Sequence, residues 1–227
     1  MYKILLVEDD IDICEIIRMY MSRTDNLIYM ANTAQEALQM VNEDSFDLIL
    51  LDIMLPDITG IDLCSKLRKD LLCPIIFISC IDDDETIVMA LEMGGDDYIV
   101  KPFSCSVLLA RIEANMRRVR METKNLSDKN KIVLDDFTIE SSDYTVVKDG
   151  NKINLTPIEF KILTYMVSNP DRVITLEELY QNIWNEPSFD DVRTVKVHVS
   201  NLRKKVEDDP SNPKHFKTVR KIGYIFQ

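Results

Sequence analysis

Several short apolar runs in this 227-residue chain each end in a residue able to do polar chemistry. Glu8, Asp9 and Asp10 follow the run at 4–7, Asp52 follows 46–51, Ser79 follows 75–78, and Lys101 follows 98–100. Carboxylates gathered at one edge repel one another and raise their own pKa values unless a cation neutralises them. A hard divalent metal is the natural partner. Mg²⁺ suits best, because it takes oxygen ligands, keeps several waters and is commonly held by one or two carboxylates plus a phosphate; Mn²⁺ is the second choice. Opposite it, Lys101 offers a point positive charge and Ser79 a hydroxyl donor, which together can hold the oxygens of a transferring phosphoryl group. Asp52 would then be the nucleophile, forming an acyl phosphate. Taken singly, each residue also has a plain structural use: the acidic triplet could cap a helix, Asp52 could cap a turn before Pro56, and Lys101 could be a solvated lysine. Jointly they are complementary parts of one reaction.

The elements that must position them alternate. Runs at 4–7, 27–30, 46–51, 75–78 and 98–100 predict strands, and segments of helical period begin near Asp12, Thr33, Gly60, Asp84 and Ser104. Continuous apolar strands separated by helices predict a parallel sheet covered on both faces, a doubly wound, flavodoxin-like α/β fold with five strands. In such sheets ligands sit beyond the carboxyl ends of the strands, near the topological switch point. Every residue named above stands at that end.

Length and charge imply a second domain. The chain exceeds what one small core needs and fits two units of roughly 100 to 130 residues. Its net charge is −12, but residues 1–121 carry −11 while residues 192–227 carry +6. The two ends want different partners. Between them, residues 120–131 are polar and without period, which is how a linker reads. The predicted division is therefore 1–121, a linker at 122–130, and 131–227. No apolar run reaches the roughly 18 residues of a membrane span, and the run at 4–7 is stopped too soon for a secretory signal, so a cytoplasmic location is expected. The five cysteines are odd in number and lack metal-ligand spacing, which suggests buried thiols in a reducing compartment. A redox role through Cys80 or Cys105 is the alternative.

In the second half, short alternating runs near 132, 137, 145 and 152 are separated by turn residues, predicting an antiparallel meander. Thr156-Pro157 opens a helix whose stripe is Ile158, Ile162, Leu163, Met166 and Val167, and Thr175 caps another over 176–184. A third helix, about 191–207, should bury Val192, Val195, Val199, Leu202 and Val206, leaving Lys196, His198, Ser200, Asn201, Arg203 and Lys204 on its other side. Two strands around a basic turn close the chain. A charged helix face alone is usually just solvated. A basic helix followed by a basic hairpin can instead place the helix in a major groove and the hairpin on phosphate or the minor groove.

Leu-Val-Glu8-Asp9-Asp10, Asp52-Ile-Met-Leu-Pro56 with Gly60, Ser79, and Asp96-Asp97-Tyr98-Ile-Val-Lys101-Pro102-Phe103 resemble a response-regulator receiver domain over residues 2 to about 121. That resemblance implies Asp9 and Asp52 as direct Mg²⁺ ligands, Glu8 through water, the Met54 carbonyl as a further ligand, Lys101 on the phosphoryl group, Ser79 and Tyr98 as the switch pair, and a cis Lys101–Pro102 bond. Residues 131–227 resemble the winged helix-turn-helix, an α+β fold, of OmpR/PhoB-type regulators. The carrying segments are Leu155-Thr-Pro-Ile-Glu-Phe160, Arg193-Thr-Val-Lys-Val-His198, Leu202-Arg-Lys and Thr218-Val-Arg-Lys-Ile-Gly223-Tyr. DNA contacts are implied from Arg193, Thr194, Lys196, Val197, His198, Ser200, Asn201, Arg203 and Lys204, and from Thr218, Arg220 and Lys221 in the wing. The chain departs from the family at Asn201, where a basic residue or serine is frequent, and at Lys221, where glycine is. Asn201 could pair with adenine.

The implied function is that of a two-component response regulator: a sensor histidine kinase phosphorylates Asp52, the protein dimerises, and promoter DNA and RNA polymerase are engaged. Dimerisation would use Ile87, Asp97, Val107, Arg111 and Arg118, and within the family the chain resembles VanR-like regulators of cell-wall resistance. No turnover is expected beyond the receiver's own phosphorylation and dephosphorylation. Two other readings stay open: a constitutive DNA-binding protein whose receiver only dimerises, and a metal-dependent phosphohydrolase. Against the second, the residues after Asp52 are Ile53, Met54 and Leu55, with no general acid among them. Ile81 and Met54, by resemblance beside the hydrolytic water's path, are both apolar and predict a long-lived phosphoryl group.

Overall fold

A computed structural model describes residues 1–125, 131–134, 136–140, 144–184 and 192–227, without the side chains of 117–125 and 192. The chain divides into two compact units, Met1–Met116 and Arg117–Gln227.

The first unit contains β1 (Lys3–Val7), α1 (Ile11–Met21), β2 (Leu27–Ala31), α2 (Ala34–Glu43), β3 (Leu48–Leu51), α3 (Gly60–Leu67), β4 (Ile75–Ser79), α4 (Asp84–Glu92), β5 (Asp97–Val100) and the start of α5 (Cys105–Asn125). All five strands are parallel in the order β2-β1-β3-β4-β5. Four helix starts are set by side chains that satisfy orphan backbone N–H groups, namely Asp10, Thr33, Thr59 and Asp83. The third strand is shorter than its apolar run suggested. Asp47 turns its carboxylate onto the Lys3 N–H at 2.7 Å, so Phe46 falls outside the ladder. On one side of the sheet Ile4, Leu6, Leu50, Ile76 and Ile78 pack with Ile17 of α1 and with Leu108 and Ile112 of α5. Helix α5 runs to Asn125, into the stretch that read as linker.

The chain leaves β1 for β2 at one edge and returns to β3 on the other side, so β1 and β3 lie side by side where the winding reverses. Val7 pairs with Leu51, Leu51 with Phe77, and Ser79 with Val100. The next residues after the pairs Val7/Leu51 and Ser79/Val100 include Glu8, Asp52 and Lys101. Register alone therefore aligns the reactive residues.

The second unit holds the four-stranded antiparallel meander β6 (Lys131–Val133), β7 (Phe137–Glu140), β8 (Thr145–Lys148) and β9 (Asn151–Asn154), then α6 (Pro157–Val167), β10 (Ile174–Thr175), α7 (Leu176–Trp184), α8 (Val192–Val206), β11 (Phe216–Val219) and β12 (Gly223–Phe226). A capping box between Thr156 and Glu159 opens α6. The two-residue strand β10 was not expected. It pairs with β12 and makes the final hairpin a three-stranded sheet, while Thr175 also accepts the Glu178 N–H at 3.0 Å as the expected cap of α7. The side chains of Phe160, Leu163, Leu179, Trp184, Val195, Val199, Leu202 and Phe216 form one core.

Gly60 is required by a close backbone approach. A Cβ at this position would lie 1.9 Å from the Asp52 carbonyl oxygen, and the Gly60 N–H donates to the Ile53 carbonyl at 2.8 Å. Gly60→Ala must push α3 away from the loop that follows Asp52. Urea unfolding of the variant should show a loss of about 1–3 kcal/mol or more, the range for overpacking a well-filled site, and an unchanged midpoint would refute the close approach.

Candidate functional site

The acidic site is built from three loops at the carboxyl edge of the first unit's sheet. Glu8 and Asp52 are buried, at 1% and 5% exposure, whereas Asp9 is exposed. Ligand oxygens of Glu8, Asp9 and Asp52 lie within 4.8 Å of one another. Lys101 reaches in from the loop after β5, and its Nζ stands 2.6 Å from Glu8 Oε2 and 2.6 Å from Asp52 Oδ2. The Lys101–Pro102 peptide bond is cis. Asp10, third of the acidic triplet, is the helix cap: its Oδ1 accepts the N–H groups of Asp12 and Ile13.

Burial pushes the Glu8 carboxyl up to about 7, against the pull of the Lys101 hydrogen bond and helped by the negative charge of Asp52. Lys101 is raised: burial disfavours its charge, but the hydrogen bonds to Asp52 and Glu8 outweigh that cost. The second Glu8 oxygen, Oε1, is buried with no hydrogen-bond partner. An orphaned carboxylate oxygen beside two more carboxylates fits a hydrated divalent cation, because such a cation supplies the missing donor through its water. Asp9 and Asp52 would hold it directly. Met54 follows in the same loop, its N–H donating to Asp52 Oδ1 at 3.1 Å.

Ser79 is fully buried at the end of β4, and its Oγ accepts the Ile81 N–H at 3.4 Å. Tyr98 is turned inward. Its ring stacks on Phe77 and its hydroxyl donates to the Ile81 carbonyl at 2.7 Å, and burial raises its phenol to about 12. Both ends of the expected switch pair thus meet the loop after β4 through Ile81.

The residues expected on an association face are only partly available. Ile87 is 3% exposed, because α4 turns Ile87, Ala90 and Leu91 toward the sheet. Asp97 and Arg111 are joined to each other within the chain, Nη1 to Oδ1 at 2.7 Å. Val107 is exposed, together with Met89, Met93 and Val100, which the sequence reading passed over. The period of α4 carried the signal, since Ile87 and Leu91 are four residues apart and share one face. The side chain of Arg118 lies outside the described residues.

In the second unit the predicted DNA-facing residues fall into two sets. Arg193 and Ser200 are half-buried on α8, and Lys196 and Lys204 are exposed there. Thr194, Val197, His198 and Asn201 were expected to contact DNA, His198 and Asn201 from the exposed side, and all four are instead buried, Asn201 at 8%. The physical reason is a wide contact. Beyond the core line of Val195, Val199, Leu202 and Val206, the flank at 194, 198, 201 and 205 packs toward the other helices, with the His198 ring 5.8 Å from Trp184 and Lys205 Nζ 2.6 Å from Glu159. Arg203 is a strut: its guanidinium lies 5.3 Å from the Tyr224 ring centre and Nη2 donates to the Phe216 carbonyl and, at 2.8 Å, to Thr218 Oγ1.

In the wing Thr218, Arg220 and Lys221 are all exposed. Lys221 has φ of +65°, a left-handed backbone that explains why glycine is frequent at this place in the motif. Gly223 is dictated by contact, as a Cβ there would stand 2.0 Å from the Ile174 carbonyl oxygen. Sequence reasoning missed Glu207, whose carboxylate accepts the N–H groups of Lys214, His215 and Phe216 at 2.8–2.9 Å and so fixes where β11 starts relative to α8. No local pattern announces that contact.

The raised Glu8 generates a pH dependence of definite sign. A folded-state pKa above the unfolded value of 4.5 means that the protein binds more protons folded than unfolded, so this group's stabilisation is present at low pH and is lost as pH rises through about 7. In a chelating buffer, thermal unfolding should fall more steeply between pH 6 and pH 8 in the wild type than in Glu8→Gln. Added Mg²⁺, which favours the ionised carboxylate, should raise the melting temperature more at pH 8 than at pH 6. Equal slopes for the two proteins would show that Glu8 is ionised throughout.

Comparison with known proteins agrees with both halves of the geometry. Residues 4–113 match the family described as response regulator receiver domain, and residues 150–226 match transcriptional regulatory protein, C terminal. The chain is 38% identical over 221 residues to the uncharacterized transcriptional regulatory protein YcbL of Bacillus subtilis (strain 168), covering 97% of this chain and 98% of that protein. Among solved structures it is similar to the C128D mutant of RitR, with a TM-score of 0.79 and 26% identity over 100% of this chain and 99% of that one. It is also similar to DrrB, a Thermotoga maritima OmpR/PhoB homologue, with a TM-score of 0.53 and 30% identity over 100% and 99%. With a five-stranded parallel receiver whose strands lead into Glu8, Asp52 and Lys101 and end on Ser79, followed in sequence by a winged helix, the chain belongs to the OmpR/PhoB family of response regulators.

Proposed function

We propose that the receiver takes a phosphoryl group on Asp52 from a sensor histidine kinase in the cytoplasm, and that this favours a homodimer binding promoter DNA and engaging RNA polymerase. The observation that carries the reading is Lys101 Nζ held 2.6 Å from both of the buried carboxylates Glu8 and Asp52, with the buried Ser79 ending the strand beside β5. A carboxylate oxygen of Asp52 attacks phosphorus, the bond from phosphorus to the donor nitrogen breaks, and the donor imidazole leaves with the electron pair. A divalent cation, when bound, neutralises charge on the phosphoryl oxygens. Lys101 can pair with the same oxygens once Asp52 carries the phosphoryl group as an acyl phosphate, which releases one of its two present partners. Ser79 can donate its hydroxyl to the phosphoryl group, and Tyr98 can follow through the loop at Ile81. Chemistry is confined to the protein's own acyl phosphate, with no separate substrate turned over.

For the effector unit, the proposed DNA surface is narrower than the sequence suggested. Arg193, Lys196, Ser200 and Lys204 on α8 would lie along a major groove, and Thr218, Arg220 and Lys221 would meet phosphate or the minor groove. Asn201, His198 and Thr194 then act by positioning α8 against its neighbours rather than by reading bases. The exposed association surface is proposed to centre on Met89, Met93, Val100 and Val107. A phosphate-driven switch acts by binding the two states of that surface unequally.

Incubating the full chain with Mg²⁺ and acetyl phosphate should add one phosphoryl group by intact mass, and Asp52→Asn should add none while still folding, with a cooperative melting transition. Labelling that persists in Asp52→Asn would overturn the assignment of the acceptor. For the wing, Arg220→Ala should weaken binding to all DNA sequences alike and reduce the slope of log K against log salt by roughly one, as expected for one lost phosphate contact. An unchanged slope would place the wing tip away from DNA.

A further inference from the structure

The phosphoacceptor chemistry uses none of the five cysteines, and they are not alike. Burial pushes the thiols of Cys14, Cys64 and Cys73 up to about 11, 12 and 11, and a thiol held protonated is a poor nucleophile. Cys80 is exposed, and Cys105 and Cys73 are partly so, Cys73 being one of the three thiols that burial raises. Two separate periodicities bring Cys80 and Cys105 together. In β4, Ile76 and Ile78 point into the layer beneath α1 and α5. Phe77 turns to the opposite face, where it stacks on Tyr98, and the two-residue alternation of a strand carries Cys80 to the α1/α5 side. In α5, Leu108 and Ile112 are buried in that same layer, and Cys105 precedes them by three and seven residues, on the same helical face. Strand and helix therefore deliver both thiols to one rim, where they line a single cavity of about 320 Å³ with Ile13, Ile17, Pro102 and Phe103.

We propose that Cys80 and Cys105 form a peroxide-responsive thiol pair beside the phosphorylation site. The Cys80 sulfur attacks one oxygen of hydrogen peroxide, the O–O bond breaks, and a sulfenic acid and one water result. The Cys105 sulfur then attacks the sulfenic sulfur, the S–O bond breaks, a second water leaves, and the disulfide forms. Two thiols lose two electrons and one peroxide is reduced to two waters. A disulfide holds its Cα atoms within about 4.4–6.8 Å, so the bond would fix the first turn of α5 to the end of β4 across the cavity that both residues line. Cys80 directly follows Ser79, and Cys105 begins the helix after the Lys101 loop. The disulfide thus ties together the two loops that hold the phosphoryl-binding hydroxyl and ammonium. Intracellular disulfides of this kind are usually transient and redox-sensing. The effect on phosphorylation rests on the proposed role of Asp52; the thiol chemistry does not.

The full chain is treated with hydrogen peroxide and read by intact mass and by non-reducing Asp-N mapping, which cuts between residues 80 and 105. The wild type should lose the mass of two hydrogens and yield a peptide linked through Cys80 and Cys105. Cys80→Ser and Cys105→Ser should show no such link, and Cys105→Ser should instead accumulate a dimedone-reactive sulfenic acid on Cys80. Oxidised wild type should accept phosphate from acetyl phosphate at least roughly tenfold more slowly, about 1.4 kcal/mol of barrier, with recovery in dithiothreitol. A link through Cys14, Cys64 or Cys73, oxidation of Cys80 without any link, or a Cys80–Cys105 link that leaves the rate unchanged would each overturn the proposal. A reduced protein that takes no phosphate would instead refute the phosphoacceptor reading, whatever the mass of the oxidised form shows.

Discussion

Two carboxylates are buried side by side at the edge of the receiver sheet, and a single ammonium compensates them. Neither Glu8 nor Asp52 could be withdrawn from water alone at modest cost, and their mutual repulsion adds to that cost. Lys101 at 2.6 Å from each offsets it only in part, as the upward displacement of Glu8 shows. The site therefore remains short of positive charge and long in acceptors, with Glu8 Oε1 unmatched. That imbalance of charge is what a divalent cation would offset.

Much of the receiver's architecture follows from holding these three side chains together. Their backbones come from three strands, and only a parallel sheet puts the carboxyl ends of all three on one edge. The reversal of winding between β1 and β3 makes Glu8 and Asp52 neighbours, and Gly60 lets the loop after Asp52 lie flat against α3. Asp57 supports the same loop from the far side, its carboxylate accepting the N–H groups of Ala34 and Gln35 at 3.0 and 2.9 Å. The loop is thereby tied to the start of α2 as well as to α3.

In the effector unit the comparable constraint is orientation of the wing to α8. Arg203 reaches across to Phe216, Thr218 and Tyr224, and Glu207 gathers three successive backbone N–H groups at the start of β11. Both residues carry charge, and both spend it inside the fold. Lys196 and Lys204 on α8 and Arg220 and Lys221 at the wing tip lie exposed. The strong acidity of the receiver half and the basic C-terminal segment are thus separated along the chain, so the overall charge of −12 does not describe the surface that meets DNA.

Local pattern determined the element order, the parallel and antiparallel sheets, the caps at Thr156 and Thr175, and the set of polar residues ending the receiver strands. Those features depend on periods of two and 3.6 residues and on caps, all of which are written within a few positions of one another. Partnership across the fold is another matter. Whether Asp97 and Arg111 face a second protein or each other, whether Asn201 meets a base or a helix, and whether Arg203 binds phosphate or braces the wing depends on which surfaces are brought against them. A helical wheel distinguishes core from solvent for an isolated helix, but α8 is covered on its flank by α6 and α7, and that flank is polar in sequence. The short strand β10 and the reach of Glu207 to β11 are likewise long-range contacts with no local signature. Sequence determined which residues could act, and tertiary packing decided which of them remained available to do so.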